Sequence, residues 1–252
     1  SQDFTLTFTT TESATLNEFA TGFIYWNGDQ GHVVRSPLAV KPVALAAPGE
    51  VYGDGSDLSY DVGFGYTGDF GADARGLIPA YVTEDTVDQD PDQTFVASDP
   101  TGTVAIPVVI PEGTTYARFA LFDADVTEGT DLDLFIYYGS SLVGYSATGS
   151  SNEEVNFQWD TPRTTDLALT VYVHGWGVAG GTSPFELNFW PLGTADAGNM
   201  IVTAPAFASL DDSDSIGLNF SGLNPATKYL GTISYSGADG MPAPTIVRID
   251  AP

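Results

Sequence analysis

The stretch Leu167-Ala168-Leu169-Thr170-Val171-Tyr172-Val173-His174 decides the fold. Leu167, Leu169, Val171 and Val173 fall on one side of an extended chain, and a period of two marks a strand with one face on a core. The same alternation recurs in Phe4, Leu6 and Phe8, in Phe185, Leu187 and Phe189, and in Ile216, Leu218 and Phe220. Helical periodicity is nearly absent. Turn signals separate the apolar runs: Asn27-Gly28, Asp54-Gly55, Glu112-Gly113, Glu128-Gly129, Gly180-Gly181, Asn224-Pro225 and Asp239-Gly240. Short strands punctuated in this way predict an all-β chain of antiparallel β-sandwiches.

Composition narrows the function classes. The 252 residues are 42% hydrophobic and 12% aromatic, which suits a packed core. Only 16% are charged, and 33 acidic against 7 basic residues leave a formal charge of −26. Such a balance argues against nucleic acid and against anionic membranes, which both need clustered cations. Cysteine is absent, so disulfides, thiolate catalysis and cysteine-based zinc sites are excluded. No apolar run approaches the ~18 residues of a membrane span. Ser1-Gln2-Asp3-Phe4 opens directly into an alternating segment, without initiator Met, basic region or apolar signal core, and reads as a chain cut from something longer.

Strand counting suggests three blocks. Residues 1–49 hold too few strands to close a sandwich. Residues 91–190 read as a complete, jelly-roll-like sandwich. Residues 50–90 and 191–252 are each too short to stand alone, and together make an Ig-like sandwich with the middle block inserted in it. Strands near Leu58–Tyr66 should then meet Ile216–Phe220 or Tyr229–Tyr235. The segment Thr83 to Pro91, with Glu84, Asp85, Asp88 and Asp90, reads as a solvated linker. The sets Asp88-Asp90-Asp92 and Asp211-Asp212-Asp214 read as loops.

Two stretches carry a family resemblance. From Ala20 to Val40, a glycine precedes an aromatic strand through Trp26, an Asn-Gly turn, and then His32, Val34, Arg35, Ser36 and Pro37. This resembles the end of the fibronectin type III-like domain of subtilisin-like serine peptidases. The segments Tyr116 to Asp125, Thr130 to Tyr137 (with Asp131-Leu132-Asp133-Leu134) and Thr170 to Gly175 resemble the bacterial pre-peptidase C-terminal domain, a β-sandwich of secreted peptidases. Leu58 to Gly68, Lys228 to Tyr235 and Thr245 to Arg248 are similar to the tails of bacterial subtilases. The resemblance implies the non-catalytic C-terminal region of a secreted peptidase, with the catalytic domain of the same parent chain as partner. One departure stands out: the resemblance implies a domain of about twice the residues that precede Val40, so that its early strands are expected upstream of Ser1 or the remaining strands pack differently. Its incomplete sheet is therefore expected to dock on a neighbouring sandwich or on a second copy of the chain.

A hydrolytic triad needs a nucleophile, a base and an orienter. The two histidines, His32 and His174, both read as strand residues. Gly181-Thr182-Ser183 matches a subtilase nucleophile triplet superficially, but Pro184 and a strand follow it, so it reads as a turn. No catalytic residue and no required cofactor are assigned. Asp123, Asp125, Glu128, Asp131 and Asp133 crowd one turn, and hard oxygen donors suit Ca²⁺, although the spacing does not fit an EF-hand. The candidate metal ligands are Asp123, Asp125, Asp131 and Asp133, set against a plain solvated acidic hairpin. The aspartates are expected on the outer face, opposite Leu132 and Leu134. Among the aromatics of the middle block, Trp190 is expected in the core. Tyr138 and Trp176 are the candidates for an exposed substrate-binding surface.

The expected function is an accessory region of an extracellular, secreted subtilisin-like peptidase, stabilising the catalytic domain or presenting protein substrate. The alternatives are a carbohydrate- or matrix-binding module and a calcium-dependent structural module.

Overall fold

Alternation produces a strand only where a second strand completes its backbone hydrogen bonds. The computed structural model describes residues 3–252, so Ser1 and Gln2 of the expected opening strand lie outside the described residues. The protein is nearly all β, 54% strand and 2% helix, in mostly antiparallel sheets with a parallel pair, Glu50–Gly53 beside Thr245–Ala251, that form sandwiches rather than a barrel. The strands are β1 (Ala20–Asn27), β2 (Val33–Val40), β3 (Leu45–Ala46), β4 (Glu50–Gly53), β5 (Leu58–Phe64), β6 (Gly68–Asp69), β7 (Gly71–Pro79), β8 (Tyr81–Asp88), β9 (Thr103–Ile110) and β10 (Tyr116–Leu121). They continue as β11 (Asp131–Tyr138), β12 (Ser141–Ser146), β13 (Glu153–Gln158), β14 (Leu167–Gly177), β15 (Thr182–Leu192), β16 (Met200–Thr203), β17 (Phe207–Ala208), β18 (Ser213–Phe220), β19 (Thr227–Ser236) and β20 (Thr245–Ala251).

The chain divides into two units. The first comprises Ser1–Ala74, Gly198–Ala226 and Thr232–Pro252. Its sheets run β16-β18-β5-β3 and β4-β20-β19-β7, the last two strands entering through residues 232–236 and 71–74. The expected pairing of distant segments is present: β5 lies antiparallel to β18, with Tyr60 opposite Ile216 and Val62 opposite Asp214. Loop closure over such a separation costs little more than over a short one, because the cost grows logarithmically. Tyr60, Val62, Phe64, Ile216, Leu218, Ile233, Val247 and Ile249 are buried here. The Tyr60 hydroxyl lies 2.8 Å from that of Tyr235, which reaches Thr245 Oγ1 at 2.5 Å. Burial, reinforced by the Tyr235 contact, pushes the Tyr60 phenol well above its ordinary pKa.

The N-terminal block departs from expectation. Phe4, Leu6 and Phe8 alternate but form no strand, and Phe4 is 60% exposed. The alternation favours an extended chain, but no neighbouring strand offers these residues a ladder. β1 and β2 form their own two-stranded sheet. Arg35 lies over the Phe23 ring at 3.3 Å, Trp26 Nε1 donates to Ser36 Oγ at 2.9 Å, and Phe4 meets Trp26 edge-on. The block is tied down through β3, which pairs with β5, and through Asn17, whose side-chain amide donates to the Gly240 carbonyl.

The second unit, Arg75–Ala197 with Thr227–Gly231, is a sandwich of sheets β13-β10-β15-β8 and β12-β11-β14-β9. Its core draws Phe119 and Leu121 from β10, Leu132, Leu134 and Ile136 from β11, Val171 and Val173 from β14, and Phe185 and Leu187 from β15. Trp190 is fully buried as expected, its indole N–H donating to the Lys228 carbonyl. The expected linker Thr83 to Pro91 is mostly strand: β8 runs antiparallel to β15, with Thr83 opposite Leu187 and Val87 opposite Ser183. β8 is an edge strand, so its acidic side chains remain in water while Val87 enters the core, and charge there is compatible with pairing.

Candidate functional site

Acidic side chains converge where β11 begins. Leu132 and Leu134 point into the core, as alternation requires. Their partner on the outer face, Asp133, is nevertheless buried and not in water. A bulge explains this. Asp133 pairs with His174 but Asp131 pairs with Gly177, so β14 carries an extra residue at Gly175-Trp176. At Gly175 a Cβ would stand 2.3 Å from the Asp88 carbonyl oxygen, so only glycine allows this approach. The Gly175 carbonyl accepts from Asp90 N, which brings the segment after β8 across the sheet. Phe95 then stacks on Phe135 with centroids 3.9 Å apart, closing the outer face.

Beneath this cover His174, 0% exposed, lies between two carboxylates. Its Nε2 is 2.8 Å from Asp90 Oδ2 and its Nδ1 is 3.3 Å from Asp133 Oδ2. Both ring nitrogens can donate only in the imidazolium form. Burial alone would lower the His174 pKa, but the hydrogen bonds and charges of Asp133 and Asp90 outweigh it and the net shift is upward. The His174 hydrogen bond holds Asp90 below its usual value, helped by the Asp92 and Thr94 amides. Asp90 is therefore not the solvated loop residue that its acidic neighbours suggest.

On the other side of Asp133 stands Glu153, from β13 of the opposite sheet and only 1% exposed. Its Oε1 accepts from Thr148 N and Thr148 Oγ1, both at 2.7 Å. Its Oε2 is buried with no hydrogen-bond partner, and so is Asp131 Oδ1. One oxygen from each of Asp131, Asp133 and Glu153 lies within 4.8 Å of the others. Burial, and then repulsion from Asp133, Glu153 and Asp123, raise the Asp131 pKa.

Of the expected ligands Asp123, Asp125, Asp131 and Asp133, the structure brings the last two together and gives the first two other partners. Residues 123–125 form a 3-10 turn, so strand alternation does not apply to them. Asp123 accepts from Ser151 N at 2.7 Å and from the Asn152 amide, closing the turn before β13. Asp125 is held by Lys228 Nζ at 2.9 Å. Glu153 went unnoticed in the sequence. The available signal was its register: it lies two residues before Val155, which faces the core.

Tyr138 and Trp176 are 57% and 44% exposed. They stand at opposite ends of the β11–β14 pair, since Tyr137 faces Thr170 whereas Asp131 faces Gly177, so they do not form one surface. Tyr138 instead shares the β11–β12 hairpin with the exposed Tyr145, Leu142 and Val143. Ser183 Oγ donates to the Pro184 carbonyl and accepts from Thr127 N. His32 is exposed in the β1–β2 turn, where its carbonyl accepts from Gly28 N. In the first unit an open cleft of about 770 Å³ is lined by Phe8, Leu38, Val40 and Phe64, with Lys41 and Asp211 at its polar margin. Comparison with protein-family models and with curated proteins finds no match to this chain.

Proposed function

We propose that the chain is a non-catalytic accessory region of a secreted subtilisin-like serine peptidase, one that holds protein substrate near the catalytic domain or stabilises that domain. The observation that carries the reading is the state of the hydrolase-type side chains. Both nitrogens of His174 face carboxylates, and the Ser183 hydroxyl is engaged by backbone on both sides. A nucleophile needs a base within hydrogen-bond reach, and neither residue serves the other. The stretches that carry the resemblance lie on strands: β1 and β2 for the fibronectin-like end, β10, β11 and β14, central in the second unit's sheets, for the pre-peptidase-like segments, and β5, β19 and β20 for the subtilase-tail-like ones.

A second reading, binding to polysaccharide, rests on the exposed aromatic hairpin of Tyr138 and Tyr145. Co-sedimentation separates the two. The chain should pellet with insoluble collagen or elastin and stay in solution with cellulose or chitin. Retention on polysaccharide alone, lost in Tyr138→Ala with Tyr145→Ala, would replace the first reading by the second.

A further inference from the structure

The structure assigns a Ca²⁺ site to Asp131, Asp133 and Glu153, at the end of the second unit's sandwich, where the ion would tie β11 of one sheet to β13 of the other. Two buried carboxylate oxygens of the clustered residues, Glu153 Oε2 and Asp131 Oδ1, have no hydrogen-bond partner. A buried anionic oxygen without a donor is costly, so such groups are paired or coordinate a metal. Among the described residues, no Lys, Arg or His pairs with Glu153 or Asp131, and the nearby imidazole of His174 lies against Asp133.

The geometry suits calcium. Two oxygens bound to one Ca²⁺ at about 2.3–2.6 Å can stand up to about 4.6–5.2 Å apart, and the three ligand oxygens fall within 4.8 Å. Hard carboxylate donors exclude the thiolate and imidazole preferences of zinc and copper. Mg²⁺ demands near-ideal octahedral geometry at about 2.0–2.1 Å and dehydrates reluctantly, which three fixed carboxylates suit less well than the flexible shell of Ca²⁺. Asp131 is only partly buried, so its side provides the entry path and room for the water ligands that Ca²⁺ requires.

Chelator-treated protein titrated calorimetrically with CaCl₂ should show one saturable site. Melting should rise by about 5–10 °C at a hundredfold excess over Kd. Asp131→Asn and Glu153→Gln should each weaken Ca²⁺ binding by at least about tenfold. Gln at 153 keeps the acceptor that Thr148 needs, and Asn at 131 sits on the open side, so at least one of these variants should fold. Asp125→Asn should bind as the parent does, because Asp125 serves Lys228. MgCl₂ should bind more weakly than CaCl₂. An absence of saturable binding by the parent chain overturns the site, as does unchanged affinity in both cluster variants. Equal loss in Asp125→Asn would place the ion elsewhere and also overturn it. If Ca²⁺ has no effect while Asp131→Asn raises the melting temperature, the cluster holds a shared proton and not a cation.

Discussion

His174 shows how far a single residue departs from its surroundings in sequence. In an alternating strand a lone histidine reads as packing, yet here it is buried between Asp90 and Asp133, whose hydrogen bonds and charges raise its pKa. Removing one partner of a buried pair leaves an uncompensated charge. We therefore expect His174→Leu to destabilise the second unit by about 3–5 kcal/mol in urea unfolding, whereas an exposed-site control such as His32→Leu should have little effect. The Asp90 shift fixes a sign for pH. Its folded pKa lies below the ordinary 3.8, so its stabilising contribution is complete above that value and is lost as pH falls through the folded pKa. Acid unfolding curves of Asp90→Asn should be flatter than the parent's on that limb, and identical slopes would argue against the pairing. None of this was legible beforehand, because Asp90 and His174 are 84 residues apart. Glu153 was closer to legible: a glutamate in phase with Val155 on a strand faces the core, and an inward carboxylate demands a partner.

At the scale of elements, alternation located most strands and erred where tertiary pairing decided. The β5, β11, β14, β15 and β18 segments have continuous apolar faces and neighbours on both sides. Phe4 to Phe8 has the same pattern but no partner, and β8 has a partner despite its charges. Sequence reports the face a residue wants to bury, but the ladder depends on which chain arrives beside it. The difference should appear in hydrogen exchange. A two-stranded ribbon is marginal on its own, so β1 and β2 amides should exchange much faster than those of β11 and β14, which are central in their sheet. Comparable protection in the two pairs would contradict this. Leu134→Ala, in the middle of β11, should cost about 2–5 kcal/mol in equilibrium unfolding through the cavity that it leaves.

For the whole molecule, the formal charge of −26 acts on stability through self-repulsion. Salt shortens the Debye length from about 30 Å at 0.01 M to about 10 Å at 0.1 M, so the melting temperature should rise with NaCl over that range in the absence of calcium. A flat salt response would mean that local pairing already cancels the repulsion. The division into units was visible only in part. Strand counts suggested that 58–64 and 213–220 belong together, but composition gave no sign that β7 and β19 each contribute residues to both units.

A subtilisin-like catalytic domain carrying this chain at its C-terminus can be compared with the same domain alone, using an insoluble protein and a soluble peptide as substrates. The accessory reading predicts faster degradation of the insoluble protein, or a longer active lifetime at elevated temperature, with the initial rate on the soluble peptide unchanged. Identical degradation rates and identical lifetimes with and without the chain would contradict it.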